Sequence, residues 1–147
     1  MSSENNVIIN DVEFFSDQRG EITHSNNSSL EKISRFYFIE HKSTEVVRAW
    51  QGHPVEKKMF VAVTGEFLLA WVKIDNFSNP SLNLQAEYIK LSPEKNKCVS
   101  IPAGYANGLK AIKKDSKILV FSEFLVNQSM EEKIRFPKHY WFNWGKY

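Results

Sequence analysis

Cysteine, long apolar runs and charge of one sign are all scarce in this sequence of 147 residues. Its single cysteine, Cys98, cannot form an internal disulfide, which fits a reducing compartment. The longest apolar stretches, such as residues 67–72, are far shorter than the ~20 residues of a membrane-spanning helix. The opening residues, MSSENNVIIN, lack the basic and apolar regions of a secretory signal. We therefore expect a cytoplasmic protein with no membrane partner.

The charge and composition of the sequence narrow the class of protein further. The 19 Lys and Arg residues nearly balance the 17 Asp and Glu residues and are scattered along the chain, so we expect no nucleic-acid partner. Apolar residues make up 42% of the sequence, which is enough for a core and excludes intrinsic disorder. No repeat, low-complexity tract or Pro/Gly/Ser linker divides the chain. The sequence therefore predicts one domain over residues 1–147.

The distribution of β-branched and aromatic residues predicts a mostly β protein. Short runs of them follow one another between turn signals, and so many short strands favour a sandwich or a barrel. The predicted strands cover residues 33–41, 46–51, 59–63, 67–75, 86–91, 98–102 and 117–124. Val61, Val63, Phe67, Leu69 and Trp71 alternate as the buried face of such strands requires.

Two local signals predict how neighbouring strands and the C-terminal region are built. Thr64-Gly65 favours a tight hairpin, because glycine tolerates the positive φ of such turns. Residues 129–135 favour a short helix, with Ser129 as its cap and Glu132 in a capping-box position.

The C-terminal sequence is unusually aromatic. Residues 139–147, HYWFNWGKY, contain five aromatic residues, which together are too apolar to leave in water. A subunit interface or closure of a sheet edge explains this better than a ligand platform. We therefore expect a homodimer.

Two segments carry the polar side chains that could form a site. In the first, VRAWQGHPVEKK from Val47, the residues Gln51 and His53 are two apart and share one face of an extended strand. A histidine taken alone is more often an ordinary hydrogen-bonded residue than a catalyst. The second segment, IPAGYANGLK from Ile101, has a turn fixed by proline and glycine. Asn107, two residues beyond Tyr105, can point into the same cavity.

Taken together, these segments resemble the cupin superfamily, and more closely its nucleotide-sugar branch. That branch contains the dTDP-4-dehydrorhamnose 3,5-epimerases, the dTDP-4-keto-6-deoxyhexose 3,4-ketoisomerases and related WxcM-like epimerases. The resemblance implies an all-β cupin fold, which is an RmlC-like jelly roll or double-stranded β-helix, with at most a short C-terminal helix. The segments that carry it, in order, are Asp17-x-Arg19-Gly20, RAWQGH from Arg48, Gly65, IPAGYANGLK from Ile101, SKILVFSEF from Ser116 and KIRFPKHYW from Lys133.

The sequence departs from the metal-binding cupins at the ligand positions. Gln51 stands at the first histidine position and Asn107 at the histidine position of the second motif, which leaves His53 and Glu56. Neutral amides are poor ligands, and catalytic sites usually have about three protein ligands. We therefore predict no catalytic metal and no cofactor.

The resemblance to the sugar branch implies proton-transfer chemistry. A 4-keto group acidifies the neighbouring C–H bonds, so that a positioned base can remove a proton. His53 matches the second histidine of the ketoisomerase pattern R-x-x-H-x-H and is the candidate base, with Gln51 as a hydrogen-bonding partner in catalysis. The predicted function is an isomerase or epimerase acting on a dTDP-4-keto-6-deoxy sugar in cell-surface polysaccharide biosynthesis.

Other departures leave an alternative open. The epimerase tyrosine position holds Leu125, and residues 135–138 lack the C-terminal aspartate that pairs with the histidine. Double epimerisation is therefore less expected than a single proton shift. A non-catalytic cupin that binds a nucleotide sugar is the alternative.

Binding a nucleotide diphosphate requires cations, hydrogen-bond donors and a surface on which the base can stack. Arg48 can clamp a phosphate with two hydrogen bonds. The residues predicted to bind substrate are Arg48, Trp50, Lys58, Tyr105, Asn107 and Lys110. Arg19, Arg35 and Lys57 are further candidate cations, and Trp141 is a further stacking candidate.

Overall fold

Two five-stranded antiparallel sheets face each other in the computed structural model, which describes residues 5–147. The first sheet has the strand order β1-β9-β6-β11-β4 and the second the order β12-β5-β10-β7-β8. A separate hairpin pairs β2 with β3. The strands are β1 Ile8–Asp11, β2 Glu13–Asp17, β3 Gly20–His24, β4 Arg35–Glu40, β5 Val47–His53, β6 Lys58–Thr64, β7 Phe67–Lys73, β8 Glu87–Leu91, β9 Lys97–Ile101, β10 Tyr105–Ala111, β11 Lys117–Ser122 and β12 Ile134–Arg135.

The apolar core lies between the two sheets. Phe67, Leu69 and Trp71 point inward from β7 and pack with Phe60 of β6 and Val120 of β11. This burial of one side chain in two is what the period of a strand dictates. The all-β sandwich predicted from the sequence is confirmed.

The outer face of the second sheet is covered by the C-terminal segment. Leu68, Ala70 and Val72 on the other side of β7 pack in a cluster with Phe136 and Trp144. The strand is thus buried on both faces, which explains its continuous apolar sequence. The aromatic tail therefore closes over a sheet face of its own chain.

The turn at Thr64-Gly65 does not form the predicted hairpin. β6 pairs with β9 and β11, whereas β7 pairs with β8 and β10, so the turn carries the chain from one sheet to the other. Gly65 has φ +69°, and a Cβ there would lie 2.1 Å from Oγ of Ser116. The glycine is required both for its backbone angle and for the space.

This crossing also shifts which residues of β6 face the core. Phe60 and Ala62 are buried, at 1% and 7% exposure, whereas Val63 is 38% exposed. The prediction that Val61 and Val63 belong to the buried face was wrong. The prediction assumed that one alternation of buried and exposed residues runs from residue 61 to residue 71. The chain passes from the first sheet to the second at Thr64-Gly65, and the alternation does not continue across that turn.

The helix begins earlier than predicted. α1 spans Val126–Glu132, and Oε1 of Gln128 accepts a hydrogen bond from the backbone N–H of Leu125 at 2.9 Å. Ser129 lies inside the helix, and its hydroxyl accepts a hydrogen bond from Arg35 instead of capping the helix. Within residues 5–147, none of the helices has the length or the apolar content to cross a membrane.

Candidate active site

A cavity of about 340 Å³ opens between the two sheets and beside α1. Strands β4 and β6 of the first sheet and β5 and β10 of the second supply its walls. The residues predicted from the sequence that line it are Arg35, Arg48, Gln51, His53, Lys58 and Asn107. The two segments singled out in the sequence therefore meet at one site.

A bulge in β5 places Arg48 on the cavity face. Gln51 pairs with Asn107 across to β10, but the next pair is Arg48 with Leu109, so Ala49 and Trp50 together lie opposite the single residue Gly108. An extra residue in one strand turns the following side chains to the other face. Arg48 thereby joins Gln51 and His53 although it lies three residues from Gln51.

Three residues predicted to bind substrate lie outside this cavity. Trp50 is fully buried on the outer face of the sheet, where its indole N–H donates to the carbonyl oxygen of Tyr140 at 2.8 Å. Tyr105 is packed in the core between the sheets, and its burial raises the pKa of its phenol. Lys110 is held by the carbonyl oxygens of Trp144 and Tyr147 at the C-terminal segment.

Two of the other candidates are equally remote from the cavity. Arg19 pairs with Asp17 in the exposed β2–β3 hairpin, at 2.6 Å. The indole N–H of Trp141 donates to the carbonyl oxygen of Ser81. The ion pair of Arg19 and the hydrogen bond of Trp141 account for these two side chains without a ligand.

His53 is held by a carboxylate that the sequence interpretation assigned to another role. Its Nδ1 lies 2.6 Å from Oε2 of Glu132, the last residue of α1. The other oxygen of Glu132 accepts hydrogen bonds from the backbone N–H groups of Val55 and Glu56, at 3.0 and 2.9 Å. An ionised carboxylate only accepts hydrogen bonds, so Nδ1 carries the hydrogen and Nε2 of a neutral ring keeps its lone pair.

The opposite ring nitrogen of His53 is left for a ligand. His53 is only 2% exposed, and its Nε2 is buried without a hydrogen-bond partner among the described residues. Buried polar atoms normally have such a partner, and an exception calls for an explanation. A ligand in the adjoining cavity would supply the missing partner.

A second carboxylate, Glu56, lies beneath the imidazole. Its Oε1 is 3.3 Å from Nδ1 of His53, its Oε2 accepts a hydrogen bond from the hydroxyl of Ser122, and the Nζ atom of Lys58 is 3.9 Å away. Burial alone would raise the pKa of Glu56, but the nearby imidazole of His53, the charge of Lys58 and the hydroxyl groups of Ser122 and Ser129 hold it at about 2. Glu56 is therefore ionised at neutral pH.

Positive charge on the cavity wall exceeds what these carboxylates balance. Arg35 and Lys58 each lie within 4 Å of Glu56. Arg48 and Lys133 also line the cavity, and within residues 5–147 neither forms an ion pair with a carboxylate. Burial together with the charges of Arg135, Lys58 and Arg48 lowers the pKa of Lys133. Cations crowded in this way favour an anionic ligand.

His53, Glu56 and Glu132 could together supply ligand atoms to a metal, since these atoms lie within 4.8 Å of one another. The 2.6 Å between Nδ1 of His53 and Oε2 of Glu132 is a hydrogen-bond distance. Two ligands of one tetrahedral zinc, each about 2.0–2.2 Å from the metal, would be roughly 3.3 Å apart. The three residues fit a shared proton better than a metal ion, and the absence of a catalytic metal stays a prediction.

Glu132, Lys133 and Tyr37 are site residues that sequence reasoning missed. Glu132 was interpreted as part of a helix cap, although it lies only three residues before Arg135, where the family pattern led us to look for an acidic partner. Tyr37 lines the cavity from β4 and had been interpreted only as part of a strand. The pairing of Glu132 with His53 cannot be obtained from local sequence, because 79 positions separate the two residues.

Comparison with known proteins identifies the fold. No family model matches the chain, and no curated protein matches it. Solved structures do match: a dTDP sugar isomerase from Desulfovibrio desulfuricans G20 has a TM-score of 0.76 at 16% identity, over 96% of this chain and 92% of that one. The dTDP-4-dehydrorhamnose 3,5-epimerase of Bacillus anthracis also has a TM-score of 0.76, at 13% identity over 95% and 83% of the two chains.

A 3,4-ketoisomerase from Thermoanaerobacterium thermosaccharolyticum, solved in complex with TDP, has a TM-score of 0.68 at 15% identity over 92% of each chain. The chain therefore has the cupin fold of the nucleotide-sugar isomerases and epimerases. The cupin fold expected from the sequence motifs is confirmed.

Proposed function

We propose that this protein is an isomerase or epimerase of a dTDP-4-keto-6-deoxy sugar and acts by proton abstraction next to the keto group. The observation that carries the proposal is the pairing of His53 with Glu132 beside the cavity, with Nε2 of the imidazole left free. The role in cell-surface polysaccharide biosynthesis and the cytoplasmic location belong to the same proposal. One domain over residues 1–147 remains a prediction.

In this reaction Nε2 of His53 takes the proton from the carbon beside the ketone. The electron pair of the broken C–H bond forms the enolate, and its negative charge lies on the keto oxygen. Glu132 stabilises the imidazolium that results, since it accepts the hydrogen bond of Nδ1. The side-chain amides of Gln51 and Asn107, which face each other across β5 and β10, can donate hydrogen bonds to the oxygen.

The surplus cations support a nucleotide diphosphate as the rest of the substrate. A pyrophosphate beside Arg48, Lys58 and Lys133 would neutralise charges that no carboxylate of the described residues fully balances. The structural neighbour from Thermoanaerobacterium was solved with TDP. The cavity volume of about 340 Å³ lies within the range of small-molecule sites, roughly 300–1,000 Å³.

The test is solvent exchange followed by proton NMR. Purified protein is mixed with dTDP-4-keto-6-deoxyglucose in D₂O, and deuterium is expected to enter the sugar ring beside the ketone. His53→Asn should abolish the exchange while dTDP still binds, measured by calorimetry. If the wild-type protein never exchanges a ring proton, the isomerase proposal fails.

The alternative is a cupin that binds a nucleotide sugar without converting it. Gln51, which cannot carry a proton at neutral pH, and Leu125, where epimerases have a tyrosine, favour this alternative. Tight binding of dTDP-4-keto-6-deoxyglucose in calorimetry, with neither exchange nor product, would support it. Exchange at a ring carbon would exclude it.

We further propose that the protein is a homodimer formed through the outer face of the first sheet. Phe36 and Phe38 of β4 are 63% and 52% exposed there. In the β2–β3 hairpin, Phe14, Phe15 and Ile22 are between 46% and 59% exposed. A two-stranded hairpin is marginally stable by itself, so packing on a second copy would stabilise it.

Light scattering should give twice the mass of one chain for the wild-type protein. Phe36→Glu should shift this mass towards the monomer, because it places a charge in an apolar contact. Leu82→Glu is the matched control, since Leu82 is equally exposed, at 64%, but lies in the loop between β7 and β8. A monomeric wild-type protein would refute the dimer.

A further inference from the structure

Helix α1 turns polar side chains towards the sandwich and leaves apolar ones in solvent. Ser129 and Glu132 are three positions apart, so they share one face of the helix, and both bond to the sandwich. Val126 and Met130, four positions apart, are instead 56% and 69% exposed. Burial of apolar surface therefore contributes little to the docking of this helix, and its polar contacts must hold it in place.

One guanidinium group, that of Arg35, contacts this segment at two points. Its Nη2 donates to the hydroxyl oxygen of Ser129, in the middle of α1, at 2.8 Å. Its Nε donates to the carbonyl oxygen of Phe124, two residues before the helix begins, at 3.0 Å. The N–H groups of a guanidinium form a rigid planar fork, so two bonds made at once fix the direction of the helix as well as its distance.

Arg35 is itself fixed to the first sheet. It is the first residue of β4, where it pairs with Ser122 of β11. Its guanidinium carbon lies 4.7 Å from the centroid of the Tyr37 ring, which is a cation–π distance. Its Nη2 lies 3.8 Å from Oε2 of the buried Glu56. The side chain therefore has contacts that define its position independently of α1.

The position of α1 determines whether His53 has its carboxylate partner. Glu132 is the last residue of the helix, and its Oε2 lies 2.6 Å from Nδ1 of His53. A hydrogen bond is lost once its two heavy atoms are about 3.6 Å apart. A misplacement of about 1 Å in a catalytic site can lower the rate about 100-fold. A small displacement of the helix would therefore separate the pair and release the imidazole from its tautomer and orientation.

We infer that Arg35 is a positioning residue: it holds α1 on the sandwich and so keeps the carboxylate of Glu132 on Nδ1 of His53. Its effect on the reaction rate rests on the proposed function, whereas its effect on this hydrogen bond does not. The role requires the paired bonds to Ser129 and Phe124, and a positive charge by itself does not fulfil it.

Two variants remove these bonds without changing the charge of the cavity. Arg35→Lys keeps the positive charge but lacks the fork of donors. Ser129→Ala removes the hydroxyl, and alanine favours a helix more than serine does, so the helix itself is not weakened. Asn127→Ala is the matched control, because Asn127 is exposed on the same helix. Thermal unfolding is measured for each variant, so that proteins folded at the assay temperature are compared.

The first measurement is NMR of protein labelled with ¹⁵N-histidine. The hydrogen on Nδ1 of His53 should give a signal far downfield, because it lies in a short hydrogen bond to a carboxylate, and His53→Asn assigns the signal by its loss. The signal should disappear in Ser129→Ala and in Arg35→Lys, since the hydrogen exchanges with water once Glu132 moves away. It should stay unchanged in Asn127→Ala. An unchanged signal in the two test variants overturns the inference.

The second measurement is turnover of dTDP-4-keto-6-deoxyglucose. Ser129→Ala and Arg35→Lys should each lower product formation about 10- to 100-fold, while the affinity for dTDP in calorimetry is unchanged. Adding Arg35→Lys to Glu132→Gln should cause no further loss, because both changes break the same contact.

Three outcomes of the turnover experiment contradict the inference. If the losses from Arg35→Lys and Glu132→Gln multiply, the two residues act independently. If turnover falls while the NMR signal of His53 is intact, Arg35 acts on the substrate directly. If the signal is lost and turnover is kept, the position of Glu132 does not matter for the reaction.

Failure of this inference is distinct from failure of the proposed function. If the wild-type protein neither exchanges nor converts the sugar, the proposed function is wrong, and the NMR signal alone decides whether Arg35 holds Glu132 in place. If the wild type is active and both Ser129→Ala and Arg35→Lys are equally active, only the role of Arg35 is wrong.

Discussion

Glu132 and His53 share a hydrogen bond of 2.6 Å although 79 positions separate them in the sequence. The carboxylate is itself fixed by the backbone N–H groups of Val55 and Glu56, so the position of α1 determines the orientation of the imidazole. Helix and strand thus contribute one proton-transfer pair.

Glu132→Gln should lower turnover by about 100-fold or more while the affinity for dTDP is unchanged. The amide oxygen would keep the two backbone hydrogen bonds, and the NH₂ group would then face Nδ1 of His53. That contact favours the tautomer with hydrogen on Nε2, which cannot accept a proton from the substrate. Steady-state rates and calorimetry on the same samples provide the measurement. Glu132→Asp should recover part of the rate, and a fully active Glu132→Gln protein would show that the pair is only structural.

Glu56 should make the fold more sensitive to acid. Because the pKa of Glu56 is lowered on folding from 4.5 to about 2, its contribution is fully present above pH ~4.5 and is lost as the pH falls towards 2. The shift corresponds to about 3 kcal/mol. Urea unfolding between pH 6 and pH 3 should therefore show a steeper loss of stability for the wild type than for Glu56→Gln. Glu94→Gln, at an exposed position, should follow the wild type.

Arg48→Met should weaken dTDP binding by about 10- to 100-fold, since a charge-assisted hydrogen bond to phosphate contributes about 1.5–3 kcal/mol. Arg48→Lys should recover only part of this loss, because an ammonium group cannot form the paired hydrogen bonds of a guanidinium. Titration calorimetry measures both. Arg19→Met removes an arginine that already pairs with Asp17 and should leave the affinity unchanged. Equal effects of Arg48→Met and Arg19→Met would refute the phosphate site.

Elemental analysis of the purified protein should find no metal in stoichiometric amount. The ligand-forming atoms of His53 and Glu132 are too close together to share one ion without moving apart. Treatment with a chelator should leave solvent exchange into the sugar unchanged. Loss of exchange on chelation, restored by one metal, would overturn this view of the site.

Gly65→Ala should destabilise the fold more than Gly104→Ala. Both residues have positive φ, +69° and +94°, so both substitutions carry backbone strain. At Gly65 the new Cβ would also lie 2.1 Å from Oγ of Ser116, whereas nothing lies within 4 Å at Gly104. We expect a loss of about 2–4 kcal/mol at Gly65 and about 1 kcal/mol at Gly104. Urea unfolding of both variants tests the difference, and equal losses would contradict it.

The sequence was sufficient to predict the fold class and the cavity residues that come from β5 and β10. Each predicted strand overlaps an observed one, because alternating apolar residues and turn signals are local properties. Gln51, His53 and Asn107 reach the cavity because residues two apart share a strand face and because their strands pair. The strands β1, β2, β3, β10 and β12 lie outside the seven runs that the sequence analysis predicted as strands.

The remaining errors come from features that only the folded chain determines. Arg48 reaches the cavity through a bulge, whereas Trp50, next to Gln51, points to the opposite face of the sheet as strand alternation dictates. Tyr105 faces inward as expected, but it lies where the sandwich is filled with core residues. Glu132 comes from a segment 79 positions from His53, and no pattern around it indicates that partner in space.

Because of the packing around the bulge in β5, formation of the cavity depends on the C-terminal part of the chain. The bulge turns Arg48 inward, whereas Trp50 beside it lies under the aromatic segment, where its indole N–H donates to the carbonyl oxygen of Tyr140. A chain still being made on the ribosome lacks that cover until residue 140 has emerged. We therefore expect nascent chains to gain affinity for the nucleotide only near the end of synthesis.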